Sequence, residues 1–139
     1  MSILRQLLFV ELSSLLALLI VAGAMSAYGT ADAARYADSL LSPTASAKII
    51  FGYTLIIGVL PVVVVGAPGY VILLRKHLAL WPYALGLGVL PGLLVLPFEL
   101  SLGFWAIICG AAVALLTHIM CRRLVPNNSF KPTPLRGAA

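Results

Sequence analysis

The sequence predicts an all-α protein, a four-helix transmembrane bundle, and three observations predict it. Hydrophobic residues make up 62% of the chain and charged residues only 9%, where a soluble domain carries roughly 45–50% and about 25%. The apolar residues fall into four long runs separated by short polar or charged segments. The positive residues gather on one side of those runs when they are threaded back and forth through a bilayer. A chain of 139 residues with this composition exposes too much apolar surface to stay soluble alone.

A bilayer core calls for about 20 apolar residues per helix. The first span is expected at about 7–28, with Glu11 inside it. Residues 29–48, GTADAARYADSLLSPTASAK, are small and polar, and are expected to form a loop with a short interfacial helix around 31–41. Asp32, Arg35 and Asp38 would share a solvated face of that helix. The second span is expected at about 49–74, stopped by Arg75, Lys76 and His77. The third is expected at about 78–98 and the fourth at about 102–120, closed by Arg122 and Arg123. The runs are too long for barrel strands and show no alternation. Residues 1–125 thus form one transmembrane domain, followed by a polar, proline-bearing tail, 126–139, expected to be disordered.

Charge orients the bundle. With the N-terminus inside, Arg5, Arg75, Lys76, Arg122, Arg123, Lys131 and Arg136 lie inside, and only Arg35 and Lys48 lie outside. Both ends therefore face the cytoplasm. Trp81 and Tyr83 fall at the inner interface; Tyr28, Phe51, Tyr53, Phe98, Phe104 and Trp105 fall near the outer one, as an aromatic belt requires. Residues 1–33 also carry features of a signal peptide, with Ala31-Asp32-Ala33 as a cleavage site. An apolar stretch beyond the usual 7–15 residues, with an acid inside it, favours a retained helix.

Helix irregularity is concentrated in the middle of the chain. A second span of 26 residues would be about 39 Å long, so it must tilt, bend or end in the headgroups. Pro61 and the run Gly66-Ala67-Pro68-Gly69 supply the bend. Pro82 suits a first helical turn, whereas Pro91 falls mid-span. A broken helix beside a Pro-kinked one is also the pattern of transporter substrate sites. Gly88 and Gly92 make a GxxxG pair, and Ala106, Gly110, Ala114, Thr117 and Cys121 make a small-residue face on the fourth helix. Both are expected to pack helices within the bundle, with homodimerisation as the alternative.

Glu11 is the candidate functional residue. A carboxylate about 6 Å below the boundary is costly if it faces lipid. Ser14 lies one turn on. His118 and Arg122, a turn apart on the fourth helix, fall at a similar depth and could meet Glu11 as a proton or substrate site. Snorkelling of Glu11 to the headgroups, or a structural pair, is the plainer alternative. His118, Met120 and Cys121 do not converge into a metal site, His77 and Glu99 are expected to be solvated, and no cofactor is called for. Cys109 and Cys121 are not expected to form a disulfide. No HExxH, GxSxG, P-loop or dinucleotide motif occurs, so an enzyme is not expected. No basic-aromatic interleaving suggests nucleic acid, despite a net charge of +5. The expected partners are the lipid bilayer and, beyond it, a second copy or another membrane protein.

Two resemblances add to this reading. The tail, PNNSFKPTPLRGAA, resembles the C-terminal peptide of proteins encoded in chromosomal integron gene cassettes, where the reading frame runs on into the recombination site. It implies a bacterial, mobile, accessory gene and nothing about the activity of residues 1–125. A small four-helix chain with an acid in its first helix is also similar in outline to small multidrug resistance exporters. That similarity implies proton exchange for cationic drugs at Glu11. Against it, the 29–48 segment is longer than those exporters' loops, the third helix lacks their Trp-Ser-Gly type motif, and their glutamate lies deeper. The leading expectation is a non-enzymatic accessory or interaction protein of the bacterial inner membrane; the alternative is a small proton-coupled transporter or efflux protein using Glu11.

Overall fold

The computed structural model describes residues 3–35, 42–76, 78 and 80–122. The tail from 126 onward, Asp38, His77 and Arg123 lie outside the described residues. Among those described, the chain is all-α, with no strand. Four helices follow one another: α1 (Ile3–Ala33), α2 (Pro43–Arg75), α3 (Trp81–Val95) and α4 (Leu100–Cys121). Three of them, α1, α2 and α4, are long and apolar enough to cross a membrane.

The helix ends differ from expectation for local reasons. α1 does not stop at Tyr28 but runs to Ala33. Thr30 Oγ1 donates to the Ser26 carbonyl at 2.8 Å, and Ser26 Oγ donates across to the Ala47 carbonyl of α2 at 3.0 Å. The small polar residues thus satisfy themselves on helical backbone. α2 begins well before Ile49: Ser42 is its N-cap, accepting from the Ala45 amide at 3.3 Å, and Pro43 occupies the first turn, the pairing favoured at a helix start. The expected loop over 29–48 is therefore shortened from both sides, and Ala31, Asp32 and Ala33 belong to α1 rather than to a separate interfacial helix.

α2 carries its irregularity where the prolines put it. Val62–Gly66 is a π-helical turn, closed by the Ala67 amide donating to the Val62 carbonyl five residues back. Pro61 and Pro68 lack amide donors, and their rings crowd the preceding turn. Widening that turn by one residue relieves the crowding without breaking the helix.

α3 is shorter than expected. It starts at Trp81, with Pro82 in its first turn, and ends at Val95. Pro97 then forces a turn in which the Phe98 and Glu99 amides both donate to the Val95 carbonyl. Fifteen residues give about 22 Å, less than the roughly 30 Å of a hydrocarbon core. α4 begins after Glu99, two residues earlier than expected, and matches its predicted end to within one residue.

Packing divides the molecule into two helical hairpins. α1 and α2 share the largest interface, and α3 and α4 one nearly as large. Gly88 is the contact point of α3 on α4: a Cβ there would strike the Gly110 carbonyl and meet Ala114 Cβ at 2.5 Å. Gly92 lies equally close to the Ile107 backbone. The GxxxG pair and the small-residue face of α4 therefore pack against each other inside one chain. At the Arg75 end, Val10, Tyr70, Val71, Leu74, Ala84 and Cys121 bring all four helices into one buried cluster. Toward the Glu99 end, α1 and α4 meet through Ala17, Leu18, Val21 and Val113. The first half of α2, by contrast, buries no residue; it lies on α1 and stands off from the α3–α4 hairpin.

Candidate functional site

Glu11 is half-buried on α1, and among the described residues it makes no ion pair and no side-chain hydrogen bond. The constellation expected around it is not assembled. Ser14 is buried, and its Oγ donates to the Val10 carbonyl at 2.8 Å, the back-bonding available to a serine inside a helix. Arg122 is exposed at the end of α4. His118 turns instead to α2, where its Nδ1 shares a hydrogen bond of 2.8 Å with the Tyr70 hydroxyl. The rings stand edge-on, with centroids 6.0 Å apart. Tyr70 is buried, one turn past the π-helical segment. The buried Tyr70 hydroxyl thereby has its partner in an otherwise apolar cluster.

The feature that sequence reasoning missed is a cavity of about 290 Å³, lined by residues of all four helices. It occupies the wedge between the first half of α2 and the α3–α4 hairpin. Most of its wall is aliphatic, and the irregular positions Pro61, Val62, Gly66 and Pro91 all line it. Its two ends are different. At the Arg75 end the lining includes Ser14, Tyr70 and Thr117; at the Glu99 end it includes Tyr53, Thr54 and Trp105. No described lining residue is charged, and Glu11, His118 and Arg122 are not among them.

Thr117 stands apart from the other hydroxyls. It is 5% exposed, and its Oγ1 has no hydrogen-bond partner among the described residues. Threonine in a helix has two accessible χ1 wells, which exchange the positions of methyl and hydroxyl. An unpaired buried hydroxyl costs about 1–3 kcal/mol, so this position favours anything that offers it a partner.

The small-residue face of α4 reaches the cavity as well: Ala106, Gly110, Ala114 and Thr117 line it, while Cys121 is fully buried against Val10 and its neighbours. Both cysteines are free, Cys109 half-buried on the cavity wall. Among the described residues no group of His, Cys, Asp and Glu could hold a metal ion. At the Glu99 end Tyr28 of α1 and Trp105 of α4 lie 5.8 Å apart between centroids, with Phe104 edge-on to Trp105 at 6.3 Å.

Comparison with protein-family models, with curated proteins and with solved structures gave no match.

Proposed function

We propose that this chain is a non-enzymatic accessory protein of a bacterial cytoplasmic membrane, with Arg5, Arg75, Lys76 and Arg122 on the cytoplasmic side, and that it works by taking up an apolar molecule from the bilayer. The cavity between the first half of α2 and the α3–α4 hairpin carries the reading. Sites for small molecules are concave, largely apolar and furnished with a few polar groups, and this one lies beside helices long and apolar enough to span a membrane. The clustering of basic residues at one end supports the orientation, and the cassette-like tail supports the bacterial, accessory origin.

The test is native mass spectrometry of the protein released from lipid nanodiscs, with Ala106→Phe as the cavity-filling variant. A bound small molecule on the wild type, lost from the variant, is the expected result. Identical spectra for the two proteins would overturn the reading.

A second reading is a small proton-coupled transporter using Glu11. It is favoured by one observation: the π-helical turn of α2 and Pro91 of α3 both line the cavity, and Ser14, one turn from Glu11, lines it too. Discontinuous helices at a binding cavity are a transporter device. A drug and cation susceptibility screen on expressing cells, with and without Glu11→Gln, tests it. Susceptibility that is the same with either protein as without any would remove this alternative.

A further inference from the structure

Resting on the cavity reading above, we infer that the ligand is a neutral single-chain amphiphile, lying along the helices with its hydrogen-bonding end at Ser14, Tyr70 and Thr117 and its hydrocarbon chain toward Trp105. Three observations carry this.

The first is shape. Along α3 the lining runs from Ala84 to Val95, about 16 Å at helical rise. The space is drawn out parallel to the helices, which suits an extended chain better than a compact ring system.

The second is the distribution of polarity. Between its ends the wall is built from residues such as Leu18, Ile57, Leu87 and Val113, which offer a chain dispersion contact and no hydrogen bonds. At the Glu99 end Thr54 donates to the Ile50 carbonyl and Tyr53 is largely exposed, so neither hydroxyl there is left buried without a partner; at the Arg75 end the three hydroxyl residues differ in what they leave open. Tyr70 is engaged with His118. Ser14 has given its proton to the Val10 carbonyl and keeps acceptor capacity. Thr117 has no partner among the described residues. Once Thr117 turns its shielded hydroxyl to the other χ1 well, a head group able both to donate and to accept, such as a hydroxyl or a glycerol ester, satisfies Ser14 and Thr117 together.

The third is charge. No described lining residue carries one. An ammonium or carboxylate head would be taken out of water with no counter-ion, which is far costlier than burying a hydroxyl that finds its partners. A lipophilic cation would find no carboxylate in the wall, only the rings of Tyr53, Tyr70 and Trp105.

Photolabelling in nanodiscs tests the inference, using a monoacylglycerol with a diazirine at the end of its chain. The expected adducts fall on Met25, Leu102 or Trp105 and are competed away by unlabelled monoacylglycerol. Thr117→Val should lower labelling about fivefold, the value of one modest hydrogen bond, while Thr117→Ser, which keeps the hydroxyl, should label like the wild type. A matched alkyl trimethylammonium probe should label several-fold less. Adducts at Ser14 or Tyr70 would reverse the orientation and overturn the inference, as would equal labelling by the trimethylammonium probe. If a headless alkane diazirine labels the same residues as well as the acylglycerol does, the cavity reading stands and the amphiphile inference falls. If no probe labels a lining residue in a competable way, both fall.

Discussion

Tyr70 and His118, 48 positions apart in the chain, share a hydrogen bond of 2.8 Å that ties α2 to α4 just beyond the π-helical turn. It is the polar fastening of the end at which all four helices converge. Tyr70→Phe should cost about 1 kcal/mol of stability. A double-mutant cycle with His118→Leu should give a coupling of about 0.5–2 kcal/mol, in the range of hydrogen bonds between membrane helices. Denaturation in mixed micelles reads both; additive losses would show that the pair contributes no coupling.

Two glycines of α3, half a turn apart, should respond in opposite ways. A Cβ on Gly86 meets nothing within 4 Å, whereas one on Gly88 runs into the backbone of Gly110. Gly88→Ala should destabilise the hairpin by about 1–3 kcal/mol, the cost of overpacking. Gly86→Ala should be neutral or stabilising by up to about 1 kcal/mol through helix propensity. Thermal unfolding of the two variants in one detergent checks the contrast.

Glu11→Gln should leave folding within about 0.5 kcal/mol of wild type, because no ion pair or side-chain hydrogen bond among the described residues is lost. Glu11→Leu should be neutral or stabilising if the side chain meets lipid. A large loss of folded protein with Gln, read by size-exclusion chromatography, would reveal a charge partner.

Topology is checked by reporter fusions. Fusions at Arg35 and after Glu99 should report the outer side, and a fusion after Lys76 should report the cytoplasm. A cytoplasmic signal from Arg35 would invert the proposed orientation.

Deleting residues 127–139 should leave membrane insertion and expression unchanged, since that segment brings little apolar surface to a bundle. A marked drop in folded protein on immunoblots of membrane fractions would show that the tail packs or binds.

The existence of four helices was legible because apolar runs of this length have few other ways to satisfy their backbone. Their ends were less legible. Gly29 and Thr30 read as loop, but Thr30 caps its own hydrogen bonding on Ser26, and polarity alone does not stop a helix. Ser42-Pro43 was the better boundary signal, and it marks where α2 begins. Gly88 and Gly110 could be seen as packing residues from their spacing. The Tyr70–His118 pair could not, since the contact depends on how α2 and α4 are rotated about their axes. Nor could the cavity, which arises from the divergence of two hairpins rather than from any one helix. Thr117 was visible on the small-residue face of α4, but its lack of a partner is a property of the assembled bundle.

The shortness of α3 reaches beyond the protein itself. With Trp81 and Tyr83 exposed at one end and Phe98 at the other, one response of a bilayer that meets this helix is to thin on that flank. Each ångström of such thinning costs a fraction of a kcal/mol. Lipid that thins in this way would carry a one-sided dimple, and two molecules that turned these flanks toward each other would share a single dimple instead of maintaining two. Lateral clustering would then arise from the elasticity of the membrane, without any matched protein surface, and it would fade in bilayers of shorter-chain lipids.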